Sequence, residues 1–465
     1  MGIFGWETIV ACAVAISCLA LIPEIRTGER KDRFFAILSA IVLATWQPEG
    51  LLVTLGMTAI VWLMIQGRTK ATGSKPHLWT ILGVILLLVP LLASRTLPWL
   101  ISFPGHVTGS SLPRWLVPLG LSFTTFRLIG VFLDSSALRI NVSPSRLMFI
   151  SLFFPTFLCG PITTLQSLKD RGNEGMSRSE MIRAGERILL GLGRKLLLAD
   201  TIKQFVMDPW LARGVGEMEP YQCLVMPLVF GMYIYWDFAG YSDIAIGTAG
   251  LFGYRVPENF NRPYISRNLI EFWRRWHITL SEWIRIRLMM KIAGRRAGIG
   301  RFSIAALISM ALCGMWHGVG IGYLLWGLWH GTGIVAVHLY GEARKRSERS
   351  QNVIRKMIGE LGSTIITFVY VTIGWVWFFL PPAEGVTLIR RGMQWRGGTA
   401  TDFLVPAGLT AALLAAYAAR EQGNRLWERI PQPVRGTLYA VFLGLVTFTL
   451  LFSRGAKQEF IYTQF

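Results

Sequence analysis

The sequence predicts an all-α, multi-pass membrane protein, and three observations carry that prediction. Of 465 residues, 52% are hydrophobic and 16% charged, whereas a soluble domain carries about 25% charged residues. Mean hydropathy is +0.45. Apolar runs near the roughly 20 residues that a bilayer span requires recur along the whole chain. They lie at 4–22, 34–47, 51–66, 78–94, 113–133, 147–166, 222–252, 303–319, 321–340, 361–380, 403–419 and 436–453. This spacing predicts about ten to twelve membrane segments, some of them re-entrant.

The charge pattern supports the same class. A formal net charge of +20 is compatible in principle with nucleic acid, but its distribution excludes that reading. The basic residues sit in short loops between apolar runs, as the positive-inside rule expects. "RTGERKDR" (26–33), "GRTKATGSK" (67–75) and "EARKRSERS" (342–350) read as cytoplasmic, and "QPEG" (47–50) as external. The N-terminus is then outside. The first run has no basic residues before it and no clear small-residue cleavage site, so it reads as a retained helix. Cys12, Cys18, Cys159, Cys223 and Cys313 all lie in apolar sequence with no metal-ligand spacing, and they read as packing thiols.

Three segments depart from plain membrane helix. "FFPTFLCGPI" (153–162) places Pro155, Gly160 and Pro161 inside an apolar run. Broken backbone at membrane depth survives where protein or a water-filled cavity surrounds it, so this run points to a tunnel. Residues 168–203 hold eight basic and five acidic residues. There Ile188, Leu189, Leu192, Leu196 and Leu197 share one helical face, which predicts an amphipathic helix along the membrane surface or a solvated connector. "YIYWDFAGYSDIAIG" (233–247) places Asp237 and Asp243 in apolar sequence. An ionisable group at membrane depth costs at least a few kcal/mol and faces a cavity or a partner. The bland alternative is a pair of caps on a helix break at Ala239-Gly240, so either way irregular structure is expected.

"ENFNRPYISRNLIEFWRRWHITLSEWIRIRLMMKIAGRR" (258–296) reads as cytoplasmic: Arg267 to Arg301 contains nine basic residues against two acidic ones. Leu269, Trp273, Trp276, Leu280 and Trp283 recur every three or four residues as an amphipathic stripe, and Ser266 and Ser281 are candidate helix caps. The stripe fits a lipid-surface helix or a wall that receives an anionic donor. His277 lies within it and reads, by itself, as a structural imidazole. "MWHGVGIGYLLWGLWHGTG" (315–333) holds two of the six histidines, His317 and His330. Counted at 1.5 Å per residue from the flanking basic loops, they lie roughly 24 and 18 Å deep, where an imidazole is a functional candidate. Gly318-Val319-Gly320 is the expected break between two helices that converge. No acidic or cysteine partner stands at metal-ligand spacing, so no metal is expected.

Together, "WDFAGYSDIAIG", "ENFNRPYISRNLIEFWRRWHITLSEW", "MWHGVGIGYLLWGLWHG", "FPTFLCGPI" and the terminal "FIYTQF" resemble the membrane-bound O-acyltransferase (MBOAT) family, in its bacterial alginate O-acetyltransferase-like branch. The match runs from about residue 115 to 340 plus the last residues. The resemblance implies a multi-helix body with re-entrant parts and a central tunnel. It implies a division into N-terminal helices (1–110), a catalytic core (111–340) and C-terminal helices (341–465). By the same resemblance His317 is the catalytic histidine and general base, and His277, 40 residues earlier, is the second catalytic position. Trp316, Trp276, Arg275, Asp237, Tyr241, Asp243 and His330 are tunnel-lining or substrate-lining candidates, with His330 in a supporting role.

The implied activity is transfer of an acyl group, acetyl foremost, in the bacterial inner membrane. The donor is a cytoplasmic thioester (acetyl-CoA or an acyl carrier) used as substrate, with no bound cofactor. The acceptor is an extracytoplasmic polysaccharide, reached directly or through a periplasmic SGNH-type partner. The chemistry agrees: a hydroxyl attacks a thioester poorly until a base takes its proton, and a dry tunnel keeps water from the donor. Two alternatives stand beside it, D-alanyl transfer to teichoic acid and a non-enzymatic polysaccharide-export subunit. The sequence departs from the branch at Ile286, where an Asp is usual, at Val319-Gly320-Ile321, where Ala-Asn-Trp is frequent, and at Thr463, where an aromatic is common.

Overall fold

The structure is a computed structural model and describes residues 6–21, 28–70, 75–102, 118, 120–138, 140–170, 177–294, 298–345, 353–394, 429–431, 434–439, 441–442 and 444. The apolar run at 403–419, most of that at 436–453, and "FIYTQF" lie outside the described residues. In chain order the helices are α1 (Trp6–Leu21), α2 (Gly28–Trp46), α3 (Pro48–Lys70), α4 (Lys75–Ser102), α5 (Leu121–Leu138), α6 (Pro144–Leu152) and α7 (Phe154–Phe157). There follow α8 (Arg178–Leu192), α9 (Asp200–Ile202), α10 (Asp208–Ala212), α11 (Pro220–Leu251), α12 (Leu269–Arg275) and α13 (Ile278–Ile284). The last are α14 (Met290–Ala293), α15 (Ile299–His317), α16 (Ile321–Lys345), α17 (Val353–Phe379) and α18 (Pro382–Met393). A two-residue pairing of β1 (Lys169–Asp170) with β2 (Tyr254–Arg255) is the β-structure among the described residues. Six described helices are long and apolar enough to cross a membrane: Pro48–Lys70, His77–Thr96, Leu121–Leu138, Pro220–Leu251, Ile299–His317 and Gly359–Phe379. The chain is therefore an all-α, multi-pass membrane protein.

Two compact units divide the chain. The first comprises the described residues of 6–191 together with Gly240–Glu258. Its core is aromatic: the Phe35 ring lies 5.0 Å from Phe252 and 5.4 Å from Tyr254, and Phe149 lies 4.7 Å from Tyr254. The segment predicted to be broken is broken. α6 stops at Leu152, one turn of α7 follows, and the chain then runs irregularly through a cis Gly160-Pro161 bond. The carbonyls this break releases have a partner that the sequence did not announce. Arg127 of α5 is fully buried and donates to Ile150 O at 2.9 Å and to Thr156 O at 2.6 Å. Buried carbonyls need such partners, and a guanidinium supplies several donors in one rigid fork. The Tyr241 hydroxyl adds to the same staple, donating to Pro155 O and accepting from the Cys159 amide.

Residues 178–191 of α8 pack on 240–251 of α11 through glycines. A Cβ at Gly191 would sit 2.7 Å from Gly240 O, and one at Gly247 would sit 2.8 Å from Ala184 O. Beside this contact Arg187 donates to Asp243 at 3.1 Å and pairs with Glu258. Asp243 is thus a buried counter-ion.

The expectation of a helix break at Ala239-Gly240 is corrected. α11 is one continuous helix of 32 residues, about 48 Å long. Gly240 serves the close approach of Gly191, and the two carboxylates are ion-pair partners rather than caps.

The second unit comprises Leu192–Ala239 and Asn259–Gln458. It contains the predicted hairpin: α15 ends at His317 and α16 begins at Ile321, so Gly318-Val319-Gly320 is the break. Small residues let the two backbones touch. A Cβ at Gly314 would run into the Tyr323 carbonyl, and one at Gly327 into the Met310 carbonyl. In the same unit Lys195 is buried with Asp237 at 2.6 Å and Asp200 at 2.8 Å. Burial disfavours the charged amine, but the two carboxylates outweigh it and raise the Lys195 pKa.

The stripe from Leu269 to Trp283 is not one surface helix. It is broken between α12 and α13, and Leu269, Trp273, Trp276 and Leu280 are all buried. The capping expectation is corrected as well. Asn268 caps α12 by accepting from the Glu271 amide. His277 occupies the N-cap position of α13. Ser266 and Ser281 donate instead to Pro263 O and Trp276 O.

Candidate functional site

The second unit assembles most of the predicted site around an aromatic core. His317, the last residue of α15, is 2% exposed. Its ring lies 4.5 Å from Trp316, 5.3 Å from Trp326 and 4.9 Å from Phe378. Trp326 is also 4.9 Å from His330, so one indole touches both imidazoles of the hairpin. The hairpin explains this. The glycine break reverses the chain, and Trp326 and His330, four residues apart on α16, share a face.

His330 is fully buried, with Trp273 at 5.3 Å and Phe272 at 6.1 Å. Neither of its ring nitrogens has a hydrogen-bond partner among the described residues.

His277 lies in the same unit on a different element. Its ring is 1% exposed and stands edge-on to Phe238 at 4.7 Å. From there ring contacts run through Phe260, Trp276, Trp375 and Phe378 to His317. The two predicted catalytic histidines thus share one aromatic core, with His330 nearer to His317 by ring contact. His277 Nδ1 lies 3.1 Å from Asn259 Oδ1. Burial pushes the His277 pKa down to about 3, which keeps the imidazole neutral across the physiological range.

The other predicted residues fall into place individually. Trp276 is 1% exposed and stacks on Phe272 at 5.6 Å. Arg275 pairs with Glu271 one turn earlier. Asp237 is the partner of Lys195, and Tyr241 and Asp243 belong to the first unit, where they hold the broken segment and Arg187. Among the described residues no group of three His, Cys, Asp or Glu side chains is arranged to hold a metal.

Sequence reasoning passed over Trp326, Trp375 and Phe378, which form the wall around the imidazoles, and Asn259, which holds His277. The spacing of Trp326 four residues before His330 was a usable signal. Asn259 offered none, because its contact is made 18 residues away.

Comparison with known proteins identifies the family. The family model described as "MBOAT, membrane-bound O-acyltransferase family" matches residues 116–374. The chain is 31% identical over 364 residues to a "Probable alginate O-acetylase AlgI" of Pseudomonas syringae pv. tomato, covering 76% of this chain and 68% of that one. It is 29% identical over 367 residues to a "Teichoic acid D-alanyltransferase" of Streptococcus thermophilus, covering 76% and 80%. It is 28% identical over 309 residues to a "Peptidoglycan O-acetyltransferase" of Helicobacter pylori, covering 60% and 57%. The family match spans both glycine-linked histidines' hairpin and the segment of His277, and the chain belongs to the membrane-bound O-acyltransferase family, as an O-acyltransferase of its alginate O-acetylase-like branch.

Proposed function

We propose that this O-acyltransferase moves an acetyl group from a cytoplasmic thioester, through a tunnel in the bacterial inner membrane, to an exported polysaccharide. The observation that supports this reading best is the buried setting of His317 at the tip of a glycine-hinged helical hairpin, within an aromatic wall that excludes water. His317 accepts the proton of the acceptor hydroxyl as its oxygen attacks the thioester carbonyl carbon. The C–S bond breaks, and the proton passes to the departing thiolate. Desolvation protects the thioester from hydrolysis, and a positioned imidazole contributes about 10²–10⁴-fold. His277 supports or orients the donor, and His330 supports the wall. The acceptor takes the acetyl group directly or through a periplasmic SGNH-type partner.

A second reading, D-alanyl transfer to teichoic acid from a carrier protein, is favoured by one observation: the similarity to the Streptococcus thermophilus D-alanyltransferase extends over 80% of that chain. A single experiment addresses both. His317→Ala is expressed in cells lacking the native gene, and alkali-released acetate and D-alanine are measured on surface glycans together with the amount of polymer exported. Acetylation is expected to fall by at least about 10²-fold with export unchanged. Loss of D-alanine instead selects the second reading. Normal levels of both esters with export lost would refute acyl transfer through His317.

A further inference from the structure

We infer that Asn259 is a positioning residue that holds His277 in its Nδ1–H tautomer and thereby makes Nε2 the basic nitrogen of that ring. The inference rests on the reading that His277 takes part in acyl transfer, and its first test is independent of that reading.

The geometry fixes the roles of the atoms. Asn259 is fully buried. Its Oδ1 lies 2.9 Å from the Thr279 hydroxyl, 3.4 Å from the Thr279 amide nitrogen and 3.1 Å from His277 Nδ1. A backbone amide is always a donor, so the atom that faces it is the carbonyl oxygen of Asn259, which settles the orientation of the side-chain amide. An oxygen that accepts from Thr279 accepts from His277 too. Nδ1 therefore carries the proton, and in a neutral imidazole the lone pair is then on Nε2.

The backbone is built around this contact. The Asn261 amide donates to Arg275 O and the Ile278 amide to Asn259 O, each at 2.9 Å, so 259–261 and 275–278 clamp one another. The two non-glycine residues at positive φ among the described residues, Arg262 at 48° and His277 at 43°, both flank this clamp. Non-glycine residues persist in the left-handed region where the surrounding structure over-determines them, and such residues cluster at functional sites. His277 sits at the N-cap position of α13 but makes no side-chain cap bond there. Asn259 reaches across the clamp to take that role at the Thr279 amide. The histidine is thereby released from capping and held by one ring nitrogen.

A purely structural Asn259 would cap α13 and nothing more, and the test separates the two. The full-length protein is placed in lipid nanodiscs with ¹⁵N-labelled histidine, and the His277 signals are assigned by difference from His277→Gln. The wild type is expected to show a protonated Nδ1 and an unprotonated Nε2. Asn259→Leu is expected to show a mixture of tautomers and to lose about 10²-fold or more of kcat/KM, measured as release of the CoA thiol from acetyl-CoA with cell-surface glycan as acceptor. Asn259→Asp preserves the cap and the acceptor and adds a charge that favours the imidazolium. It is expected to keep the tautomer and to move the acid limb of the pH–rate profile to higher pH. A pure Nδ1–H tautomer in Asn259→Leu, or an unmoved acid limb in Asn259→Asp, would overturn the inference. Mixed tautomers with full activity would overturn the catalytic reading of His277 while leaving the tautomer assignment standing. If Asn259→Leu does not fold, Asn259→Asp decides the question alone.

Discussion

Asp237 looked like a substrate-facing carboxylate in the sequence, and the structure makes it the counter-ion of Lys195; the two roles predict different mutants. Lys195 Nζ is 2.6 Å from Asp237 Oδ1 and 2.8 Å from Asp200 Oδ1, and the Lys195 and Asp237 side chains are each 1% exposed. Lys195→Met strands two carboxylates beside each other, one fully buried. Removing one partner of a buried pair costs about 3–5 kcal/mol. Asp237→Asn leaves Asp200 to neutralise the amine and replaces a charge-assisted bond, so the loss is smaller, about 1.5–3 kcal/mol. Replacing both ends with apolar residues of similar volume, as in Lys195→Met with Asp237→Leu, removes the desolvation cost of both charges and leaves Asp200, whose side chain is 17% exposed, so the double variant should be more stable than Lys195→Met alone. The double-mutant cycle on Lys195→Met and Asp237→Leu should therefore return a coupling of at least about 3 kcal/mol, the top of the range for residues in contact. Thermal unfolding of the purified protein in detergent reads the stabilities, and ester content of surface glycans per folded molecule reads the activity. A double variant as unstable as the worse single one would refute the ion-pair argument. Asp237→Asn with normal stability and no activity per folded molecule would return Asp237 to the reacting groups.

Three further outcomes follow from other contacts. Arg127→Leu leaves the Ile150 and Thr156 carbonyls buried without their donor; at about 1–3 kcal/mol each the loss is about 2–6 kcal/mol, and an unchanged unfolding temperature would contradict the staple. His277 is held neutral, with a folded pKa of about 3 against about 6.5 unfolded, so the unfolded state takes up more protons and stability is lost as pH falls below about 6.5. From pH 7 to 5 this amounts to about 2 kcal/mol, and His277→Gln should lose that much less over the same interval; equal slopes would refute it. Gly327→Ala drives a Cβ into the Met310 carbonyl and should cost about 1–3 kcal/mol as overpacking, whereas Gly320→Ala meets only the edge of the Tyr323 ring, at 3.6 Å, and should be neutral; the reverse order in unfolding temperatures would refute the close-packed hairpin.

What could be read in the sequence follows from the range of the interactions involved. The hairpin of α15 and α16 was legible because its cause is local: Gly-Val-Gly between two apolar runs is punctuation that hydropathy alone exposes. The broken segment after Leu152 was legible for the same reason, through Pro155, Gly160 and Pro161. The reading of Gly240 failed because a glycine in a helix reports either a break or a close neighbour. The neighbour, Gly191, lies outside any window around it. The stripe from Leu269 to Trp283 misled in another way. Its period is helical, but the clamp between 259–261 and 275–278 interrupts the helix at His277, and that clamp is made of long-range backbone bonds. Ser266 and Ser281 were plausible caps by composition, yet Asn268 caps α12, and at α13 the cap position falls to His277 while the distant Asn259 accepts from the Thr279 amide. Arg127 and Lys195 could not be placed, since the carbonyls that Arg127 meets lie 23 and 29 residues away and the buried carboxylate that Lys195 meets, Asp237, lies 42 residues away.

The same contacts say which polar groups of the apolar interior remain for chemistry. A charge retained at membrane depth must find a partner, and the structure supplies one for both carboxylates that the sequence raised and for one arginine that it did not. Asp237 has Lys195, Asp243 has Arg187, and Arg127 has the carbonyls of a broken backbone. These groups pay for their burial by holding helices in register, which leaves them poorly suited to exchange protons with a substrate. An imidazole differs because its neutral form is cheap to bury and still carries one donor and one acceptor. It can remain in an aromatic wall without a counter-ion and accept a proton when a reacting hydroxyl arrives. That asymmetry argues for His317 over any buried carboxylate as the proton-handling group. It also makes a definite demand on the mutants: loss of Asp237 or Asp243 should scale with loss of folded protein, and loss of His317 should not.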